Sequence, residues 1–154
     1  MTTASISTVA IKSSDQYLTH YWPISNGKGL DEIGSANMLP ASGLTFVEDR
    51  FCNKNLALSL NGGWTYIPRG IYFDSPEFTI AVWVYPQQIG KNSRVIDFGN
   101  FASSDNIIFG LSMSDSLQPF VLSSISSQFL SLNQWQFLVG TFNGTNERFY
   151  LNGQ

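Results

Sequence analysis

Side chains able to do acid–base, nucleophilic or metal chemistry are few in this sequence. His20 is its one histidine and Cys52 its one cysteine. A Ser-His-Asp or Cys-His arrangement would have to be built on His20. That residue stands beside Tyr21 and Trp22 in an apolar run, and no Gly-x-Ser-x-Gly elbow occurs, so a structural histidine is the better reading. One His and one Cys cannot supply the three or four ligands that zinc takes. The lone cysteine also excludes an internal disulfide, and it reads as a small buried hydrophobe. Gly62, Gly63 and Gly99 make no phosphate loop, because no helix follows to present its N-terminal amides. No catalytic residue is assigned.

Aromatic side chains offer a different kind of site. Trp64, Tyr66 and Tyr72 flank Gly62, Gly63 and Gly70, which places them at a strand end. Exposed rings there would stack on a sugar face while nearby amides or carboxylates fix its hydroxyls. The competing reading for Trp64 is strand packing in the core. Trp22, Trp83 and Trp135 sit in apolar strands and are expected to be core. Asn143-Gly144-Thr145 forms an N-glycosylation sequon in a predicted turn.

The elements that carry these residues read as short strands. From Leu18 onward, apolar runs recur every dozen residues or so, divided by Gly, Asn, Ser, Asp and Pro, with no persistent helical period. Ten strands are expected: 18–24, 44–46, 56–60, 64–67, 78–85, 94–98, 107–112, 120–123, 136–142 and 148–151. In LALSLNG, Leu56, Leu58 and Leu60 alternate with Ala57 and Ser59, as in a flanking strand with one buried face. FTIAVWVYP leaves little for water on either face, so it is expected to be central and covered on both sides. Residues 1–16 are rich in Ser and Thr, show no sustained period, and read as a flexible leader. One domain is expected over 17–154. Asn152-Gly153 favours a two-residue type I′ hairpin turn, yet only Gln154 follows. The fold is therefore expected to lack its final strands and to leave an edge open to pairing with another chain.

Composition narrows the function classes. The 154 residues are 43% hydrophobic and 14% aromatic, enough to bury a sizeable core. Charged residues are only 12%, about half the usual share, so Ser, Thr, Asn and Gly take over the polar surface in the manner of secreted β-proteins. Eight basic residues against eleven acidic ones give a net charge of -3, and the basic residues are spread without a cluster, which argues against nucleic acid. No run approaches the ~20 apolar residues of a membrane span, and the first residues lack the apolar core of a signal peptide. An export signal is thus expected outside this sequence, or the protein is not secreted.

Four segments, HYWPISNGKGLDEIG, LALSLNGGWTYIP, SPEFTIAVWVYPQ and LSLNQWQFLVGTFNGTNERFYLNGQ, together resemble the laminin G-like jelly rolls of the concanavalin A-like lectin/glucanase superfamily. The resemblance implies an all-β, two-sheet antiparallel sandwich and a non-catalytic binding or adhesion module of a larger extracellular or surface protein. Its partner would be a glycan or an extracellular protein. Calcium on the sandwich rim comes with that resemblance, since the ion takes six to eight oxygens from loops. Asp97, Asn100, Asp105, Asn106 and Asp31 are the candidate oxygens. For Asp97 the alternative is that it tightens the turn before Gly99. Laminarinase-type glycosidases share the superfamily, but neither a Glu-x-Asp-x-x-Glu nor a Glu-x-x-x-Glu pattern is present to place an acid and a nucleophile on one strand. Two functions from different classes lead, a lectin-like module and a structural or protein-adhesion module; a degenerate glycoside hydrolase is a third, which two carboxylates facing each other across a groove would revive. Exposed Trp64 or Tyr66 beside unpaired Asn and Asp oxygens would favour the first.

Overall fold

A computed structural model describes residues 3–12, 17–99, 106–112, 118–122 and 124–154 of the chain. Its eleven strands are β1 (Thr3–Lys12), β2 (Leu18–Pro23), β3 (Leu39–Val47), β4 (Ala57–Tyr66), β5 (Glu77–Gln88), β6 (Ser93–Phe98), β7 (Ile107–Ser112), β8 (Phe120–Val121), β9 (Ser124–Ile125), β10 (Gln136–Asn143) and β11 (Glu147–Leu151). They form a seven-stranded sheet in the order β11-β10-β5-β1-β4-β3, with β2 also paired to β1, and a four-stranded sheet in the order β6-β7-β8-β9. Every pairing is antiparallel. The expected all-β, two-sheet sandwich is what the chain builds. No helix among the described residues is long and apolar enough to cross a membrane.

The reading of residues 1–16 as a flexible leader is overturned for residues 3–12. β1 lies between β5 on one side and β4 followed by β2 on the other. The reason is a bulge. Ala4 and Ile6 face the core, the register then slips between Ile6 and Thr8, and Val9 and Ile11 continue the inward row. One extra residue shifts the alternation by one, so the strand's period of two is broken in the sequence although it holds in space. Ser7 is that extra residue, and its buried hydroxyl lacks a hydrogen-bond partner.

β5 is central, as its sequence requires, but only one of its faces is sealed. Phe78, Ile80, Val82 and Val84 are buried against the second sheet, while Thr79, Ala81, Trp83 and Tyr85 are half-buried on the outside. Trp22 is in the core; Trp83 and Trp135 are not, and they lie half-buried. The core itself runs through Ile11, Ile80, Val82, Val84 and Leu138 from one sheet to Phe109, Leu111 and Val121 of the other. At Gly140 a Cβ would come within 3.0 Å of Phe109 and Val121, so the glycine lets β10 approach β7 and β8.

At the carboxy-terminal end the expected type I′ turn is formed. Asn152 and Gly153 take positive φ values of 52° and 85°, and Leu151 and Gln154 exchange backbone hydrogen bonds. The expected strands at 56–60 and 64–67 are one strand, β4. Gly62 and Gly63, which read as a break, keep the pairing with β3 where an irregular register passes Ser42 and Gly43.

A candidate ligand cleft between the two sheets

The four-stranded sheet covers only part of the seven-stranded one. Between β4 and β6 a cleft of about 1060 Å³ is left open, its floor supplied by inward side chains such as Ile6, Val9 and Leu58. Trp64 and Tyr66 stand on its β4 wall with 58% and 48% of their surface exposed, their ring centres 5.8 Å apart and tilted by 42°. Positions two apart on a strand share a face, so the two rings form one platform. Glycine sets that platform. A Cβ at Gly63 would fall 2.1 Å from the Ser42 carbonyl oxygen, and Gly43 and Gly62 hold positive φ values of 67° and 66°. Only residues without a Cβ permit β3 and β4 to cross this closely.

Tyr72, expected in the same platform, is buried to 8% exposure and belongs to the cleft wall. Its hydroxyl donates to the Pro68 carbonyl, and its ring packs 4.8 Å from His20 and 5.1 Å from Phe98. Burial raises its phenol above the usual range, and the nearby Asp31 charge adds to this. A ring held on both sides is not free to stack on a ligand.

Behind that wall lies a polar knot that the sequence did not announce. The Asp31 side chain is inaccessible to solvent, and its Oδ2 sits 2.6 Å from His20 Nδ1. The same carboxylate accepts backbone N–H groups from Tyr21, Gly34 and Ala36, with a longer contact from Ile33. Burial alone would raise the acid, but the His20 hydrogen bond and these amides outweigh it and hold it down at about 2. An ionised Asp31 requires His20 to carry its proton on Nδ1. The His20 ring in turn stacks on Trp22, centroids 5.3 Å apart, and Trp22 Nε1–H donates to the Ala36 carbonyl. The knot thus ties the 29–38 loop to β2. A Cβ at Gly34 would sit 2.5 Å from Asp31 Oδ2, so that position is closed to a side chain.

Of the calcium candidates, the structure describes Asp31, Asp97 and Asn106. Both Asp31 oxygens face N–H donors, which repel a cation. Asp97 is ion-paired with Arg94, a contact made by the register slip between Arg94 and Ile96, since positions three apart on a regular strand face opposite ways. A Cβ at Gly99 would lie 2.8 Å from Asp97 Oδ1. Asn100 and Asp105 lie outside the described residues. Among the described residues no three His, Cys, Asp or Glu groups gather around one point. Asp31 and Asp97 each already answer N–H donors of this chain.

On the opposite, outer face of the large sheet Trp83 packs on Phe137 at 5.1 Å and Tyr85 on Trp135 at 5.6 Å. The Arg50 guanidinium lies over both Phe51 and Trp83, 4.3 and 4.7 Å from their centres. Cys52, expected to be buried, is exposed, in a turn where Asp49 accepts the Phe51 and Asn53 amides. Alternation in the β5 and β10 sequences signals this outer row only when both strands are aligned, which needs their register.

A laminin G-like family model, described as the concanavalin A-like lectin/glucanases superfamily, matches residues 60–154, from β4 to the final turn. No curated protein and no solved structure matches the chain. The match takes in β5 to β11 and most of β4, with the Trp64–Tyr66 wall of the cleft, and leaves out β1 to β3. The chain therefore belongs to the laminin G-like branch of the concanavalin A-like lectin/glucanase superfamily.

Proposed function

We propose that this domain is a non-catalytic binding module of an extracellular or cell-surface protein, and that it takes a carbohydrate in the β4–β6 cleft. The observation that carries this reading is the pair of adjacent, largely exposed rings of Trp64 and Tyr66 at the mouth of an apolar cleft. Large aromatic surface left open to water on one face is costly to maintain and marks a contact site. Arg69, Asn92 and the Arg94–Asp97 pair ring the same cleft and supply polar groups for hydroxyls. The non-catalytic reading is supported by Asp97 being the one carboxylate among the described cleft residues, with Arg94 already engaging it. Glycoside hydrolysis takes two carboxyl groups across the scissile bond.

A glycan array probed with the wild-type chain and with Trp64→Ala tests the proposal. The expected result is one defined glycan class retained by the wild type and lost by the variant. Binding unchanged in the variant, or none to any glycan, would remove the carbohydrate reading. A second reading has its own observation: the outer row of Trp83, Phe137, Tyr85 and Trp135 with Arg50 suits a protein partner, since aromatics and arginine are enriched in protein contacts.

A further inference from the structure

We propose that Asn143 is an attachment site for an N-linked glycan. The Asn143-Gly144-Thr145 tripeptide is the one Asn-x-Ser/Thr sequence in the chain, and it falls at the tip of the β10–β11 hairpin. All three residues are exposed. Asn143 Oδ1 accepts the backbone N–H groups of Thr145 and Asn146, at 3.1 and 2.7 Å, which fixes the side chain and leaves Nδ2 as the outward group. Gly144 holds a φ of 83°, and a Cβ built there would meet nothing within 4 Å. The space a first sugar needs is open.

The reaction balances with one co-reactant. Asn143 Nδ2 attacks the anomeric carbon of an oligosaccharide carried on a polyprenyl pyrophosphate. The C–N bond forms, the C–O bond to pyrophosphate breaks with its electron pair leaving on phosphate, and one Nδ2 proton passes to a base of the transferase. The tripeptide is local in sequence, so it is presented before the sheets close as well as after. Within the large sheet, β10 lies three strands from β4, roughly 14 Å at the usual strand spacing. A glycan rooted on the hairpin leaves the Trp64–Tyr66 cleft open and stands beside β11, the edge strand of that sheet.

The site rests on the proposed extracellular or surface location, and imposing export separates the two. The full chain is secreted from a eukaryotic host behind an added export signal. Intact masses are then compared before and after peptide-N-glycosidase treatment for the wild type, Asn143→Gln and Thr145→Ala. The wild type is expected to carry a sugar mass that the enzyme removes, leaving Asp at position 143, and both variants are expected to lack it. Thr145→Ala keeps both hydrogen bonds of Asn143, so a cooperative melt like that of the unglycosylated wild type shows that loss of the sugar is not loss of the fold. A secreted, folded wild type unmodified at Asn143, or a sugar mass that persists in Thr145→Ala, would overturn the site. Neither result depends on what the cleft binds.

Discussion

Replacing Asp31 by Asn should cost this domain more than most single substitutions. The carboxylate is fully enclosed, and its two oxygens answer one ring N–H and three backbone amides at 2.6 to 3.1 Å. A carboxyl lowered from 3.8 to about 2 on folding contributes about 2 kcal/mol when ionised. The amide of Asn also turns a donor toward His20 or Ala36, and a buried donor left unmatched adds about 1–3 kcal/mol. The sum is about 4 kcal/mol, a fall in midpoint of about 8–16 °C for a chain of this size. The folded carboxyl titrates below its unfolded value, so its contribution is complete above about pH 4 and disappears as the pH falls through about 2. Urea unfolding followed by tryptophan fluorescence at pH 7, 4 and 2.5 should therefore show a gap between wild type and Asp31→Asn that narrows by about 1.5 kcal/mol by pH 2.5. A gap under about 1 kcal/mol at pH 7, or one that stays constant with pH, would refute the account of the knot. Calcium that stabilises the wild type but not the variant would show instead that Asp31 is a metal ligand.

Other substitutions probe the scaffold and the cleft separately. Gly63→Ala places a methyl against the Ser42 carbonyl and should cost about 3 kcal/mol by thermal melting. It should also weaken ligand binding, because Trp64 follows directly. Gly140→Val should overpack the space beside Phe109 and Val121 and cost about 1–3 kcal/mol, with binding unaffected once the protein is folded. Trp64→Ala should leave the melting midpoint within about 2 °C, since the ring is mostly exposed, yet weaken glycan binding about tenfold in calorimetry. A large loss of stability in Trp64→Ala would show that the ring is packing rather than platform.

The sandwich was legible because its strands advertise themselves locally. Phe78, Ile80, Val82 and Val84 alternate without interruption, and Asn152-Gly153 demands the turn it makes. β1 was hidden because the Ser7 bulge moves the inward row from even to odd positions, which a period-two search reads as noise. Gly62 and Gly63 looked like a break between strands for a related reason: their partner, the Ser42–Gly43 crossing in β3, is distant in sequence. Trp64 and Tyr66 were singled out by the flanking glycines and do face the cleft, whereas the same cue failed for Tyr72, whose ring is captured by His20 and Phe98. Asp31 belongs to a knot whose donors lie three to eleven residues away, in an arrangement that no spacing rule encodes.

The four indole N–H resonances of this chain offer the most direct measurement. Trp64 lines the cleft, Trp83 and Trp135 report the outer face, and Trp22, bonded to Ala36, reports the core. In a ¹⁵N-labelled sample titrated with the glycan class selected on the array, the Trp64 signal should move in a saturable way while those of Trp83 and Trp135 stay in place. Movement of the Trp83 and Trp135 signals with Trp64 unaffected would contradict the cleft assignment and locate binding on the outer face of the sheet.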